Sequence, residues 1–161
     1  MNVYPIEAGN FKLDGGAMFG VVPKSLWTKT NPADTDNMIE MSSRCMLVEN
    51  SDKLILVDTG MGDKQSEKFF KYYKRWGNDN LVKSINSAGF SIDDVTDVLL
   101  THLHFDHCGG AVVWNSAKEA YDVLFKNANY WSNKNHWDWA TNPNPREKAS
   151  FLDENLFPIK E

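Results

Sequence analysis

Cysteine is almost absent from this chain: Cys45 and Cys108 are the only two. A disulfide framework is thereby excluded as the main source of stability, and two thiols in a chain of this type read as free rather than bridged. Lysine and arginine never gather into a basic cluster, and the formal net charge is −5. Nucleic acid is therefore not an expected partner, because phosphate binding needs a stripe of neutralising cations. No apolar run approaches the roughly 20 residues that cross a bilayer, so no membrane partner is expected either. The opening MNVYPIEAGNFKLDGG lacks a basic flank leading into an uninterrupted apolar segment. It does not read as a secretory signal, and the cytoplasm is the default location. Internal repeats and low-complexity linkers are missing as well.

What remains is an ordinary globular composition. A length of 161 residues, with 42% hydrophobic and 24% charged, fits one compact unit with a sizeable core. Alternation in VYPI and FKLD, then AMFGVV, predicts short strands separated by Gly9, Gly15 and Gly16. Residues 24–40 read as a loop, and RCMLVE with KLILVD as a hairpin. The hairpin runs into DTGMGD, where Asp58 precedes two glycines that permit a sharp change of direction. Aromatic residues at helical spacing predict a helix over residues 64–76, and LVKSINSAGF a second one ending near Gly89. In SIDDVTDVLL the run Val98, Leu99, Leu100 does not alternate, as in a strand buried on both faces. AVVWNSAKEA opens either a helix or a strand. YDVLF, NYWSNKNHWDWATN and PREKASFLDENLF follow as strand, mixed segment and helix. The alternation of strand-rich and helix-rich blocks predicts a layered α/β fold.

Histidine is scarce too, yet three of the four in the chain fall within THLHFDHCGG, residues 101–110. Imidazole nitrogens and a carboxylate are the donors expected for zinc or another borderline divalent metal, whereas calcium and magnesium call for oxygen. His102 and His104 project to one side of a strand end, and Asp106 and His107 can turn to a second point. The economical reading is two metals about 3.5 to 4 Å apart, with a hydroxide between them that attacks a carbonyl or phosphoryl centre. Asp106 could instead serve as general base beside a single metal. Asp58 fits a turn-capping role, and the same side chain can orient a ligand histidine. Cys108 reads as a small buried thiol. His136, in NKNHWDW, reads as an exposed or packed histidine rather than a ligand. Phe19 and Phe105 are the candidates for an apolar substrate-pocket wall.

The spacing His102-x-His104-x-Asp106-His107, after a hydrophobic strand and with VDTG upstream, resembles the signature of the metallo-β-lactamase superfamily. DGGAMFGVVPKSLW together with THLHFDHCGG looks like its quorum-quenching lactonase branch, which is related to methyl parathion hydrolase-like enzymes. The resemblance implies an αββα sandwich with His102 and His104 on a first metal, Asp106 and His107 on a second, and Asp58 bracing them from behind. It spans residues 1–161 but only the N-terminal half of the family's domain, so a C-terminal half supplying the remaining ligands is expected as a companion. The implied cofactor is zinc, two ions in the complete domain, with iron, manganese or cobalt as alternatives. The implied activity is opening of a lactone, N-acyl homoserine lactone foremost, or a related ester by a metal-bound hydroxide. A phosphotriester or aryl-ester hydrolase, an iron-dependent oxidoreductase and a non-catalytic truncated chain are the rivals. A homodimer is also among the expected assemblies.

Overall fold

The computed structural model describes residues 1–160. Strand β1 (Asn2–Asp14) takes in both of the first apolar stretches, and a register shift between Glu7 and Asn10 marks where they meet. AMFGVV departs from its expected strand. The Asp14 carboxylate accepts from the Ala17 N–H and caps a short helix, α1 (Gly15–Phe19), and this local bond commits the backbone to a turn. The expected loop contains a one-turn helix, α2 (Lys24–Trp27), and gives its last residues to β2 (Met38–Asn50). β2 and β3 (Lys53–Val57) form the expected antiparallel hairpin, with Asn50 opposite Lys53.

The aromatic helix is shorter than its periodicity predicts. α3 (Glu67–Lys71) begins at a Ser66 cap and is over before Lys74, whose φ of 39° cannot continue a right-handed helix. α4 (Leu81–Ser87), capped by Asn80, ends close to the expected glycine. Then come β4 (Asp97–Leu99), α5 (Phe105–Cys108), β5 (Val112–Trp114), β6 (Tyr121–Val123) and β7 (Asn129–Trp131). α6 (Lys134–Thr141) and α7 (Asp153–Leu156) follow, so PREKASFLDENLF holds only a four-residue helix and flanking turns. The main sheet has the order β1-β2-β3-β4-β7, and β5 pairs with β6 in a separate hairpin. β3, β4 and β7 run parallel.

The two faces of the main sheet differ sharply. On one, Ile6, Cys45, Leu47, Leu54, Leu56 and Val98 pack into a single core with Leu81 and Ile85 of α4, Phe125 and Leu156. On the other lie Met46, Ile55, Val57, Leu99 and Trp131, the alternate residues of the same strands. Val98 is fully buried while its neighbour Leu99 is 42% exposed and Trp131 55% exposed. The expectation that β4 is buried on both faces is thus corrected: helices cover one face, and among the described residues no layer covers Leu99 and Trp131 on the other. The result is a mixed α/β arrangement, a sheet with helices on one side. Among the described residues, no helix is long and apolar enough to cross a membrane.

Candidate metal centre

Parallel pairing of β3 with β4 carries the ends of both strands to the same edge, and the side chains of interest sit there. Asp58, just past β3, adopts a left-handed backbone (φ 60°) while its N–H bonds the Leu99 carbonyl at 2.9 Å. That turn places its carboxylate under the histidine loop. Oδ1 accepts from the Thr101 N–H at 2.8 Å, the Thr101 hydroxyl lies 2.9 and 2.8 Å from the two carboxylate oxygens, and His107 Nδ1 lies 2.8 Å from Oδ2. Burial alone would raise the pKa of Asp58, but the His107 and Thr101 contacts outweigh it and hold the carboxyl below its usual range. Asp58 is therefore ionised at neutral pH.

Above it the imidazoles gather. The His102 ring centroid is 4.7 Å from that of His104 and 3.8 Å from that of His107, and Asp106 Oδ2 is 3.6 Å from His107 Nε2. Burial, then the neighbouring His107 and His104, lower His102 to about 4, so its ring is neutral with a free lone pair at physiological pH. His107 also suffers burial, but Asp58 on Nδ1, with Asp106 beside it, holds it above its ordinary value. The donor set is nitrogen-rich with one carboxylate, which suits zinc-like metals. The Asp58 carboxylate on Nδ1 of His107 leaves Nε2 as the nitrogen that a metal could take, a bracing arrangement usual for ligand histidines. Among the described residues, however, no group of three or more His, Cys, Asp or Glu side chains is disposed to hold a metal ion together.

The loop after β3 and the loop after β4 interlock through backbone. Thr59 N–H and its hydroxyl both bond the His107 carbonyl, at 2.8 and 2.9 Å, and Gly110 N–H bonds the Gly60 carbonyl at 2.9 Å. Lys64, only 5% exposed, donates through Nζ to the Gly109 carbonyl at 2.5 Å. The two cysteines are free and buried, and Cys108 Sγ donates to the Leu103 carbonyl. Burial pushes Lys64 down to about 8, partly offset by Cys108, Glu154 and Asp63. A lysine with its folded value depressed below the unfolded one makes the unfolded state the better proton binder between the two. Stability from this residue therefore rises with pH from about 8 towards the unfolded value. Urea unfolding of wild type and Lys64→Met between pH 7.5 and 9.5 should show the difference in stability growing in favour of wild type, by up to about 1.4 kcal/mol per pH unit. A flat difference would mean that Lys64 keeps its charge when buried.

His136 lies nearer the cluster than its sequence context indicates. Its Nε2 accepts the Leu103 N–H at 2.9 Å, between the two ligand-like histidines, and its ring centroid is 6.3 Å from that of His102. It is a packed histidine whose lone pair is already in use. Removing it strands a buried N–H, so His136→Ala should cost about 1 to 3 kcal/mol in a denaturant melt, and an unchanged midpoint would show that water replaces the ring. Phe105 is buried against Phe69 and Tyr73, with ring centroids 5.4 and 4.9 Å away, while Phe19 stacks on Trp27 at 5.0 Å. Sequence reasoning passed over Lys64 and Thr101 as functional positions. The threonine had a signal, since it stands at the strand end directly before the histidines; a lysine in a polar loop offers none.

The Metallo-beta-lactamase superfamily profile matches residues 39–160. An N-acyl homoserine lactonase of Bacillus cereus is 29% identical over 104 residues, which cover 58% of this chain and 40% of that protein. A probable metallo-hydrolase of Mycobacterium tuberculosis is 34% identical over 80 residues, 45% of this chain and 26% of that one. A crystal structure of a probable metal-dependent hydrolase from Staphylococcus aureus superposes with a TM-score of 0.87 at 32% identity, covering 96% of this chain and 54% of that one. The dizinc quorum-quenching lactonase AidC, in complex with a product N-hexanoyl-L-homoserine, gives a TM-score of 0.71 at 27% identity over 98% of this chain and 55% of that one. The chain thus spans about half the length of the solved structures it matches and less of the curated relatives. With the profile spanning most of its length and the Asp58 and histidine loops in place, the chain belongs to the metallo-beta-lactamase superfamily.

Proposed function

We propose that this chain forms the N-terminal half of a metal-dependent hydrolase that opens a lactone, N-acyl homoserine lactone being the substrate class we favour. The carrying observation is the Asp58 carboxylate set beneath three clustered imidazoles, one of which it holds directly. Likeness to lactonases, one of them dizinc and product-bound, supports both the metal and the substrate class. His102 and His104 would hold one ion, Asp106 and His107 a second, and zinc is the metal that this donor set favours. When bound, such a metal polarises a carbonyl and makes water acidic enough to attack near neutral pH. Asp58 keeps His107 in one orientation, and the half-buried, neutral ring of His102 offers a lone pair without first shedding a proton. Phe19 and Phe105 are our candidates for apolar walls against the acyl chain. Phe19 has the more surface left to offer, because Phe105 is 8% exposed.

Lactone opening at neutral pH releases a proton, so a pH indicator follows it directly. The full-length zinc-loaded protein should turn over N-acyl homoserine lactone, lose that activity on chelation, and regain it with added zinc. Turnover that survives chelation, or hydrolysis confined to aryl phosphotriesters, would overturn the metal or the substrate part of the proposal respectively.

A further inference from the structure

We propose that Thr101 is a positioning residue, which passes the orienting charge of Asp58 on to His102 so that one carboxylate fixes two histidines at once. The inference rests on the metallohydrolase reading above and deepens it. Thr101 Oγ1 has three polar neighbours: the Asp58 oxygens at 2.9 and 2.8 Å and His102 Nδ1 at 3.2 Å. The hydroxyl carries one proton and a carboxylate is an acceptor only, so the single proton shared along the two short Thr101–Asp58 contacts is the hydroxyl's own. If the hydroxyl donated to His102, its lone pairs would face two carboxylate oxygens at hydrogen-bond distance with no proton between them. The proton must therefore lie towards Asp58. That leaves the Thr101 oxygen as an acceptor, and His102 Nδ1 must be the donor. His102 is thus fixed as the Nδ1–H tautomer, with its lone pair on Nε2.

The same carboxylate also takes Nδ1 of His107. Asp58 consequently selects Nε2 as the free nitrogen on both rings, directly in one case and through a hydroxyl in the other. The Thr101 N–H, also bonded to Asp58, keeps the hydroxyl close to the carboxylate. Such outer contacts raise the basicity of a ligand and lock its ring. A residue with no hydroxyl at position 101 would leave His102 free to exchange tautomers and would leave Asp58 short of one donor.

The experiment reads the tautomer first, before any metal is added. Imidazole nitrogen-15 shifts of the metal-free, full-length protein distinguish Nδ1–H from Nε2–H. Wild type and Thr101→Ser should both show His102 as Nδ1–H, whereas Thr101→Val should show a mixture. Zinc affinity, measured by competition with a chromophoric chelator, should fall about 10 to 100-fold in Thr101→Val and be restored in Thr101→Ser. Amide spectra confirm that each variant is folded, and the serine variant controls for the loss of the threonine methyl. A wild-type His102 protonated on Nε2, or a valine variant with an unchanged tautomer, overturns the proposal. So does an altered tautomer with unchanged zinc affinity. If the tautomer moves as described but wild type itself takes up no zinc, the relay stands and the metallohydrolase reading fails.

Discussion

Gly110→Ala should cost the protein about 3 kcal/mol or more, although it adds a single methyl group. A Cβ at Gly110 would come within 2.1 Å of the Thr59 carbonyl oxygen and 3.3 Å of a Leu81 methyl. The leucine could yield, but the carbonyl could not. Thr59 is tied to the His107 carbonyl by both its N–H and its hydroxyl, and Gly60 takes the Gly110 N–H. Relieving the clash means separating two loops whose backbones are directly bonded. Asp58 immediately precedes Thr59, so it would move with them and lose its hold on His107. Zinc affinity should accordingly drop by about 10 to 100-fold in whatever fraction stays folded. Gly20→Ala is the control for added volume: nothing lies within 4 Å of the added carbon, and its φ of 55° with ψ of −116°, a conformation suited to glycine, leaves only backbone strain of about 1 to 3 kcal/mol. Urea midpoints for the two variants decide the matter. Equal, small losses would show that the loops have slack which the interlocked geometry denies.

This interlock shows which parts of the structure were readable from sequence. The β2–β3 hairpin was legible because alternation and a polar turn are local signals, and every residue that decides them lies within a few positions. The descent from Leu99 into the histidines was legible for a similar reason: the ligand-like residues themselves are contiguous. Three failures have a common cause. AMFGVV has strand-like composition, yet one Asp14 side chain reaching the Ala17 N–H turns its start into a helix. The aromatic run from residue 64 to 76 has helical spacing, but its rings Phe69 and Tyr73 pack on Phe105, and the backbone leaves the helix to place them. Leu99 looks like a core residue and is one only if a second layer covers it. Periodicity reports that a face is apolar, and it is silent about which partner lies on it. Lys64 and His136 were hidden more deeply, since their roles depend on backbone groups 45 and 33 residues away in sequence. A side chain that satisfies a distant carbonyl or N–H leaves no local pattern.

The largest effect should come from supplying the rest of the domain. Zinc-loaded residues 1–161 should hydrolyse lactone more than about 100-fold more slowly than the same residues joined to, or mixed with, a C-terminal half of the kind its relatives carry. The bound follows from ligand counting. A catalytic zinc normally has three protein donors and one open position, and here each expected ion receives two. Loss of a mere bracing contact already costs about 10 to 100-fold, so loss of a donor should cost more. Packing gives an independent reason. Met46, Ile55, Val57, Leu99 and Trp131 share one largely apolar face across β2, β3, β4 and β7, interrupted by Asp97, and Leu99 and Trp131 keep 42% and 55% of their surface in water. A sheet of this kind needs a layer on each apolar face. Adding the second half should therefore bury Trp131, whose fluorescence would shift to shorter wavelength as turnover appears. If residues 1–161 alone, shown to be monomeric by sedimentation, matched the completed protein in zinc-dependent turnover, then the missing donors must come from within this chain. His136 would be the first residue to reconsider, since releasing Leu103 would free its Nε2 within reach of the cluster.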